Sequence, residues 1–193
     1  AAAQTQRPNI VFIITDDHSF QTISAYGSEV SKLAPTPNID RLANEGARFD
    51  DAFVENSLST PARACLLTGL YSHQNGQRTL GKGIDSTKTF VSELLQDAGY
   101  QTGVVGKWHM QCRPKGFDFF RIFEGQGDYY NPLVLSHDSN GKYEREQGYA
   151  TDIVTEHAVE FLNQRDEQKP FFLLVEHKAP HRTWMPNLKY LGL

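Results

Sequence analysis

The sequence predicts an α/β fold with a mostly parallel sheet, because apolar runs of strand length alternate with stretches of helical periodicity. Buried parallel strands are predicted at residues 9–15, 101–106 and 171–176. Helices, with apolar side chains recurring at helical spacing, are predicted at residues 38–44, 90–98 and 151–164. Helical crossovers of this kind place successive strands parallel to one another.

Chemically useful side chains follow each predicted strand directly. The first strand is followed by Asp16-Asp17-His18, the second by Lys107-Trp108-His109, and the third by the run from His177 to His181. In open parallel sheets, ligands bind beyond the carboxyl ends of the strands. The three polar runs are therefore expected to meet at one edge of the sheet and to form a site there.

A further helix is predicted between the first two strands, and it begins beside a hydroxyl group. Pro61 suits the first helical position, and Gly69 suits the position just past the helix end. Ser59 is then expected just before the helix N-terminus, where free N–H groups and the helix dipole favour an anion. Arg63 follows about one helical turn later and can direct its side chain to the same point. A hydroxyl, a cation and a helix dipole thus converge on one small anion.

The composition is that of a globular chain with a modest negative charge. Of the 193 residues, 39% are hydrophobic and 22% are charged, which is typical of one domain or two. The net charge of -4 argues against a general nucleic-acid or membrane binder. No apolar run approaches the ~20 residues of a membrane span.

Other segments carry weaker signals. The two cysteines do not make a disulfide framework, and Cys65 is expected to be a buried apolar residue of the helix. The small, polar start at residues 1–6 is typical of an exported bacterial protein after signal removal, or of a remnant of cloning. The first interpretation indicates the periplasm or the cell surface. Residues 111–142 are rich in glycine, aspartate and aromatic residues and are expected to form loops at the rim of the site.

The run from Ser59 to Gly69 resembles the sulfatase signature, C/S-x-P-x-R followed by L-x-T-G, and the resemblance to type I sulfatases extends from Arg7 to the end of the chain. It implies an alkaline-phosphatase-like, three-layer α/β/α sandwich that hydrolyses sulfate esters. In that family a separate maturation enzyme oxidises the residue that opens the motif to Cα-formylglycine, whose hydrate is the nucleophile. Ser59 would be that residue. The sequence leaves open whether Ser59 is a native serine, a substitution for cysteine, or an unmodified side chain.

The resemblance also implies a metal. Asp16, Asp17 and the modified Ser59 would bind Ca²⁺, for which hard oxygen ligands are suited. Taken without the resemblance, the two adjacent aspartates are equally compatible with a solvated turn.

The same resemblance assigns catalytic roles. Arg63 and Lys107 would take up the charge of the sulfate oxygens. His109 would act as the base that regenerates the aldehyde, and His181 would protonate the leaving sugar oxygen.

The substrate is indicated by the run His177-Lys178-Ala179-Pro180-His181, which looks like sulfatases acting on 6-O-sulfated N-acetylglucosamine. His18, His177 and Lys178 are expected to contact the substrate, although His177 is equally suited to a supporting hydrogen bond. The expected partner is a sulfated glycan of the heparan, keratan or mucin type.

Sulfatases are longer than this chain, so residues 1–193 are expected to be the N-terminal part of the catalytic domain. A second pair of calcium ligands, the rest of that domain and a smaller C-terminal subdomain would belong to a C-terminal remainder of the same protein. Two other functions stay open. One is a phosphate or phosphonate ester hydrolase that uses unmodified Ser59, and the other is a non-catalytic sulfoglycan-binding protein.

Overall fold

The computed structural model describes residues 7–192; the polar start at residues 1–6, predicted to follow a removed signal, and Leu193 lie outside the described residues. The chain divides into two compact units. The first consists of the residues up to Asp16 together with those from Glu55 onward, and the second is Asp17–Val54.

The first unit is built on a six-stranded sheet. Its strands are β1 (Ile10–Ile14), β2 (Gln101–Gly106), β3 (Phe119–Phe123), β4 (Leu133–Ser136), β5 (Tyr143–Arg145) and β6 (Phe171–Glu176). The order across the sheet is β1-β6-β2-β3-β4-β5. The first four strands in that order run parallel, whereas β4 and β5 pair antiparallel. The predicted mostly parallel sheet is confirmed.

Helices cover both faces of this sheet. The helices of the first unit are α2 (Ser59–Thr68), α3 (Ser72–Asn75), α4 (Val91–Asp97) and α5 (Ala150–Gln164). Helix α1 (Pro37–Glu45) belongs to the second unit and is described with it below. Consecutive residues of β2 show the two faces: Val104 packs in a core with residues of α2, and Val105 packs in a separate core with residues of α5. This is the predicted three-layer α/β/α arrangement, and the three helices predicted by periodicity lie within two residues of their expected bounds.

Two local predictions were wrong. Residues 111–142 were expected to form loops but contain the strands β3 and β4. The apolar run of β3 is short and is interrupted by Arg121, which pairs with Glu160 at 2.9 Å, so the sequence does not show it as a continuous apolar strand. The second error concerns β1, which was predicted to be buried. It lies at the edge of the sheet, where Val11 and Ile13 are half-exposed.

The second unit, Asp17–Val54, combines α1 with three short 3-10 turns. The carboxylate of Asp40 accepts hydrogen bonds from Ser24 Oγ at 2.6 Å and from Thr36 Oγ1 at 3.0 Å, which ties the start of α1 to one of these turns. The helix ends at Glu45, and Gly46 follows it.

Across residues 7–192, no helix has both the length and the apolar composition needed to cross a membrane.

Candidate active site

The helix that carries Ser59 begins two residues earlier than the sequence predicts. Ser59 is the first residue of α2, and Pro61 is its third residue, so the expectation that Ser59 precedes the helix was wrong. The first N–H groups of a helix have no intrahelical acceptor, and proline is therefore tolerated throughout the first turn. The predicted end is confirmed, since Gly69 follows Thr68 with a left-handed φ of 64°.

The hydroxyl of Ser59 contacts two of the predicted partners. Its Oγ lies 3.1 Å from His109 Nδ1 and accepts a hydrogen bond of 3.3 Å from Arg63 Nε. The buried hydroxyl of Thr60 donates to the backbone carbonyl of His109 at 3.0 Å, which ties the loop after β2 to the start of α2. A nucleophile in hydrogen-bond reach of an imidazole nitrogen is the arrangement that nucleophilic catalysis requires.

His109 is neutral at ordinary pH in this arrangement. Burial, together with the positive charges of Lys107 and Arg63, lowers its pKa to about 4. An imidazole in this state can accept a proton.

Arg63 connects the ends of three strands. Its side chain is buried, and NH1 donates both to the carbonyl of Lys107 at 2.6 Å and to Glu176 Oε1 at 2.8 Å. NH2 lies 3.7 Å from Asp16 Oδ1. The guanidinium is therefore held by groups at the carboxyl ends of β1, β2 and β6 while Nε faces Ser59.

Lys107 is the most deeply placed cation of the site. Its side chain is fully buried, and Nζ donates to Asp16 Oδ2 and, at 2.7 Å, to Gln126 Oε1. Burial lowers the pKa of Lys107, and the carboxylate of Asp16 opposes that effect. Two of the three ammonium hydrogens are thus directed at acceptors, which leaves the third for another oxygen.

Two residues of this network were not predicted from the sequence. Glu176 is the last residue of β6, is 2% exposed, and binds Arg63 through one oxygen. Burial raises its pKa to about 7, against the opposing effect of Arg63. A glutamate that closes an otherwise apolar strand is a signal that was available. The sequence around Gln126 carries no such signal, because Gln126 lies in the loop between β3 and β4 and contacts Lys107 only in the folded chain.

The run after β6 contributes a second lysine and a histidine. Lys178 Nζ donates to the carbonyl of Gln126 at 3.3 Å and lies 5.0 Å from the ring centroid of Tyr129. The hydroxyl of Tyr129 donates to the backbone carbonyl of His181, whose half-buried ring has Nδ1 2.6 Å from the carbonyl of Arg182. Lys178 and His181 are therefore held on one loop, and Lys178 shares Gln126 with Lys107 as a hydrogen-bond partner.

His177 is placed differently from its neighbours. Its ring is partly buried, and Nδ1 has no hydrogen-bond partner within residues 7–192. Burial lowers its pKa. Its predicted contact with substrate stays a prediction.

The predicted calcium ligands divide between the two units. Asp17 and His18 belong to the second unit, and their roles stay predictions. Asp16 is a buried carboxylate of the first unit and offers the hard oxygen donors that calcium prefers. Calcium takes about 6–8 oxygen ligands, and among the described residues no group of three or more His, Cys, Asp or Glu could hold a metal ion. The oxygen donors of Asp16 are thus of the type that calcium prefers, and the calcium site itself stays a prediction.

The remaining expectations concern packing. Cys65 is buried on α2, as predicted, and both Cys65 and Cys112 are free. Trp108, which stands between Lys107 and His109 in the chain, is buried in the core shared with α2.

Comparison with known proteins gives consistent matches. A model of the sulfatase family matches residues 8–190. The chain is 48% identical over 193 residues to an N-acetylglucosamine-6-O-sulfatase of Bacteroides thetaiotaomicron, covering 98% of this chain and 34% of that protein. It is 32% identical over 204 residues to arylsulfatase J of Mus musculus, covering 93% of this chain and 33% of that protein.

One solved structure, of a protein in complex with its substrate D-glucosamine-2-N,6-O-disulfate, superposes with a TM-score of 0.92 at 48% identity. The match covers 97% of this chain and 37% of that one. The chain thus spans about a third of the length of the curated relatives given above.

Proposed function

The chain belongs to the sulfatase family, and from that premise we propose that it hydrolyses the 6-O-sulfate ester of N-acetylglucosamine in a sulfated glycan. Its fold is the alkaline-phosphatase-like α/β/α sandwich of that family. The observation that carries the proposal is the position of Ser59 Oγ, which lies between His109 Nδ1 and Arg63 Nε at the carboxyl end of the sheet.

Formylglycine is general to the family, and we infer that a maturation enzyme converts Ser59 to it. The surroundings of Ser59 fit this group, because an oxygen bonded to the β-carbon finds a donor in Arg63 Nε and an acceptor in neutral His109. When present, it supplies a hydrated aldehyde whose hydroxyl attacks sulfur and which can later expel sulfate.

The cations of the chain hold the sulfate group. Arg63, Lys107 and Lys178 are fixed at the same sheet edge by Glu176, Asp16 and Gln126 before any substrate binds. Preorganised positive charge in a buried site stabilises the charge that develops on sulfate oxygens, because no reorganisation is needed in the transition state.

Two histidines move protons. His109 is neutral, and its Nδ1 is positioned to accept the proton of a hydroxyl at residue 59. His181 has Nδ1 next to the carbonyl of Arg182, so that its Nδ1–H is held there and Nε2 carries the exchangeable proton. We assign to Nε2 the protonation of the leaving sugar oxygen.

Calcium is also general to the family. In the first unit, Asp16 and an oxygen at residue 59 would supply ligands for it, whereas Asp17 of the second unit stays a predicted ligand. Its charge would further neutralise the sulfate oxygens.

The relatives support the substrate and the location that we propose. The relative of 48% identity is described as an N-acetylglucosamine-6-O-sulfatase, and it comes from a bacterium. The superposed structure holds a glucosamine carrying a 6-O-sulfate. We infer a glycan substrate of the heparan, keratan or mucin type, contacts to it from His18, His177 and Lys178, and export to the periplasm or the cell surface.

The experiment that tests this proposal is peptide mass spectrometry on the protein from its native host, paired with turnover of N-acetylglucosamine 6-sulfate. A peptide containing residue 59 that is lighter by two hydrogens, together with release of sulfate, is the expected result. N-Acetylgalactosamine 6-sulfate is the matched control substrate, and faster turnover of that sugar would contradict the assigned specificity.

A second candidate function is phosphate or phosphonate ester hydrolysis by unmodified Ser59. It is favoured by the same 3.1 Å contact to His109, since a neutral imidazole activates an ordinary serine as well. An unmodified peptide with turnover of a phosphonate monoester would support it. Sulfate binding without turnover, by a protein that carries formylglycine, would instead support a non-catalytic sulfoglycan-binding protein.

A further inference from the structure

The orientation of Arg63 is set by a small number of acceptors. A guanidinium is a planar fork, so fixing one terminal nitrogen determines where the other nitrogens point. NH1 is fixed by two acceptors, the carbonyl of Lys107 at 2.6 Å and Glu176 Oε1 at 2.8 Å. With NH1 held there, Nε points at Ser59 Oγ.

We propose that Glu176 is a positioning residue, which aims the guanidinium of Arg63 at residue 59 without contacting the substrate. The inference rests on the proposed function, because it assigns Glu176 to the same reaction. Glu176 is the side-chain member of the pair of acceptors on NH1, whereas the other member is a backbone carbonyl.

A second carboxylate beside Arg63, that of Asp16, would draw the guanidinium away from residue 59. Asp16 Oδ1 lies 3.7 Å from NH2, beyond hydrogen-bond length, and its second oxygen already accepts from Lys107. Without Glu176, the guanidinium would turn toward Asp16, and Nε would leave residue 59.

The backbone of β6 at Glu176 is held firmly enough to fix the position of its side chain. Glu176 is in register with Ile14 of β1 and with Gly106 of β2, so its backbone is held on both sides. A Cβ added at Gly106 would overlap the carbonyl oxygen of Glu176, which shows how closely β2 and β6 approach there. A side chain on such a backbone reaches Arg63 only if it has the right length.

Length and an acceptor oxygen are what the position requires, more than charge. Oε2 is buried without a hydrogen-bond partner in the part of the chain that the structure describes, so only one oxygen of the carboxyl group makes a hydrogen bond. Glutamine keeps that length and one acceptor oxygen. Aspartate keeps the charge but is shorter by one C–C bond of ~1.5 Å, and methionine keeps the length but offers no comparable acceptor.

The test compares Glu176→Gln, Glu176→Asp and Glu176→Met in the protein as its host produces it. Two quantities are measured: the Kd for inorganic sulfate, by calorimetry, and kcat/KM for N-acetylglucosamine 6-sulfate. A misplacement of about 1 Å can cost on the order of 100-fold in rate. We expect the Asp and Met variants to lose about 10- to 100-fold in both quantities, and the Gln variant to stay within about threefold of the unsubstituted protein.

A double-mutant cycle separates positioning from a general structural role. In an Arg63→Ala background, Glu176→Met should cause no further loss of sulfate affinity, since Glu176 acts only through Arg63. Glu160→Gln and Glu160→Met are the matched controls. Glu160 Oε1 lies 2.9 Å from Arg121 NH2, and in the described part of the chain neither side chain forms a hydrogen bond or ion pair with Ser59 or its partners. Both controls should leave the two measured quantities unchanged.

Each outcome of this test either supports the positioning role of Glu176 or contradicts it. The inference is overturned if the Asp and Met variants keep their affinity for sulfate, if the Gln variant loses as much as the Met variant, or if the losses add in the Arg63→Ala background. Affinity is a property of folded molecules, so it is measured on whatever fraction of each variant folds. If the unsubstituted protein binds sulfate but releases none from the sugar, the proposed function fails while the ranking of sulfate affinities still tests Glu176.

Discussion

Strands β1 and β6 are neighbours that look alike in sequence and differ in the structure. Both are continuous apolar runs, both are parallel, and Ile14 is in register with Glu176. All six residues of β6 are buried, whereas Val11 in β1 is 51% exposed. An apolar run therefore predicts a parallel strand correctly and does not tell a central strand from an edge strand.

The carboxylates that follow these strands do not share that difference. Asp16 after β1 and Glu176 at the end of β6 are both buried. Arg63 lies beside both, with Lys107 as an additional partner of Asp16. The burial of these two carboxylates thus goes with the cations beside them and not with the exposure of the strand that each one adjoins.

The largest effect is expected from Arg63→Ala, which removes the cation that the two strand ends share. Breaking a buried ion pair by removing one partner costs about 3–5 kcal/mol, because the other charge stays buried and unpaired. Turnover of the sulfate ester should be lost as well, and the free energy of unfolding is measured by urea titration. Arg121→Ala is the control: its pair with Glu160 is partly exposed, for which about 1 kcal/mol is expected. Equal costs for the two variants would mean that Arg63 does not hold the strand ends together.

Much of this site was predictable from the sequence. The spacing of Ser59 and Arg63 by four residues placed both on one side of a helix start, and strand ends located Lys107 and His109. What could not be predicted depends on distant parts of the chain. Gln126 meets Lys107 only because the loop between β3 and β4 returns to the end of β2.

The same limit applies to the fold. The positions of β3 and β4 were missed because each strand is short, at five and four residues, and the helix and strand periods cannot be told apart over so few positions. The edge position of β1 was missed because exposure depends on what packs against a strand and not on the strand itself.

The second prediction concerns pH and the end of β6. The pKa of Glu176 is raised from 4.5 to about 7 in the folded chain, facing Arg63, Lys107 and Asp16. The folded state then binds more protons than the unfolded state between these values, so this group lowers the free energy of unfolding as pH rises from 4.5 through 7. The total is on the order of 3 kcal/mol.

The measurement is the free energy of unfolding from pH 4 to pH 8 for the unsubstituted protein and for Glu176→Gln. Subtracting the two curves removes contributions common to both, including that of His109, whose lowered pKa acts in the opposite sense. The free energy of unfolding of the unsubstituted protein minus that of Glu176→Gln should fall as the pH rises. Parallel curves would show that Glu176 does not titrate in this window.

A third prediction measures the packing of β6 itself. Val175 is 5% exposed and lies in the core shared with α5, so Val175→Ala removes two methyl groups from a packed site. The lost transfer free energy and the cavity together should cost about 2 kcal/mol in the free energy of unfolding. A cost below about 0.5 kcal/mol, the scale of surface substitutions, would contradict the central position of β6.

The smallest effect is expected from the same substitution one strand away. Val11→Ala in β1 removes the same two methyl groups from a side chain that is 51% exposed, and surface substitutions usually change stability by less than about 0.5 kcal/mol. Measured by the same urea titration, Val11→Ala and Val175→Ala differ only in what covers the strand. If their costs were equal, β1 would have to be covered in the protein as its host produces it, and the exposed edge would be a surface that another segment or partner buries. An unchanged free energy of unfolding for Val11→Ala would establish β1 as a true edge, whose contribution lies in its register with β6 and in carrying Asp16 to the site.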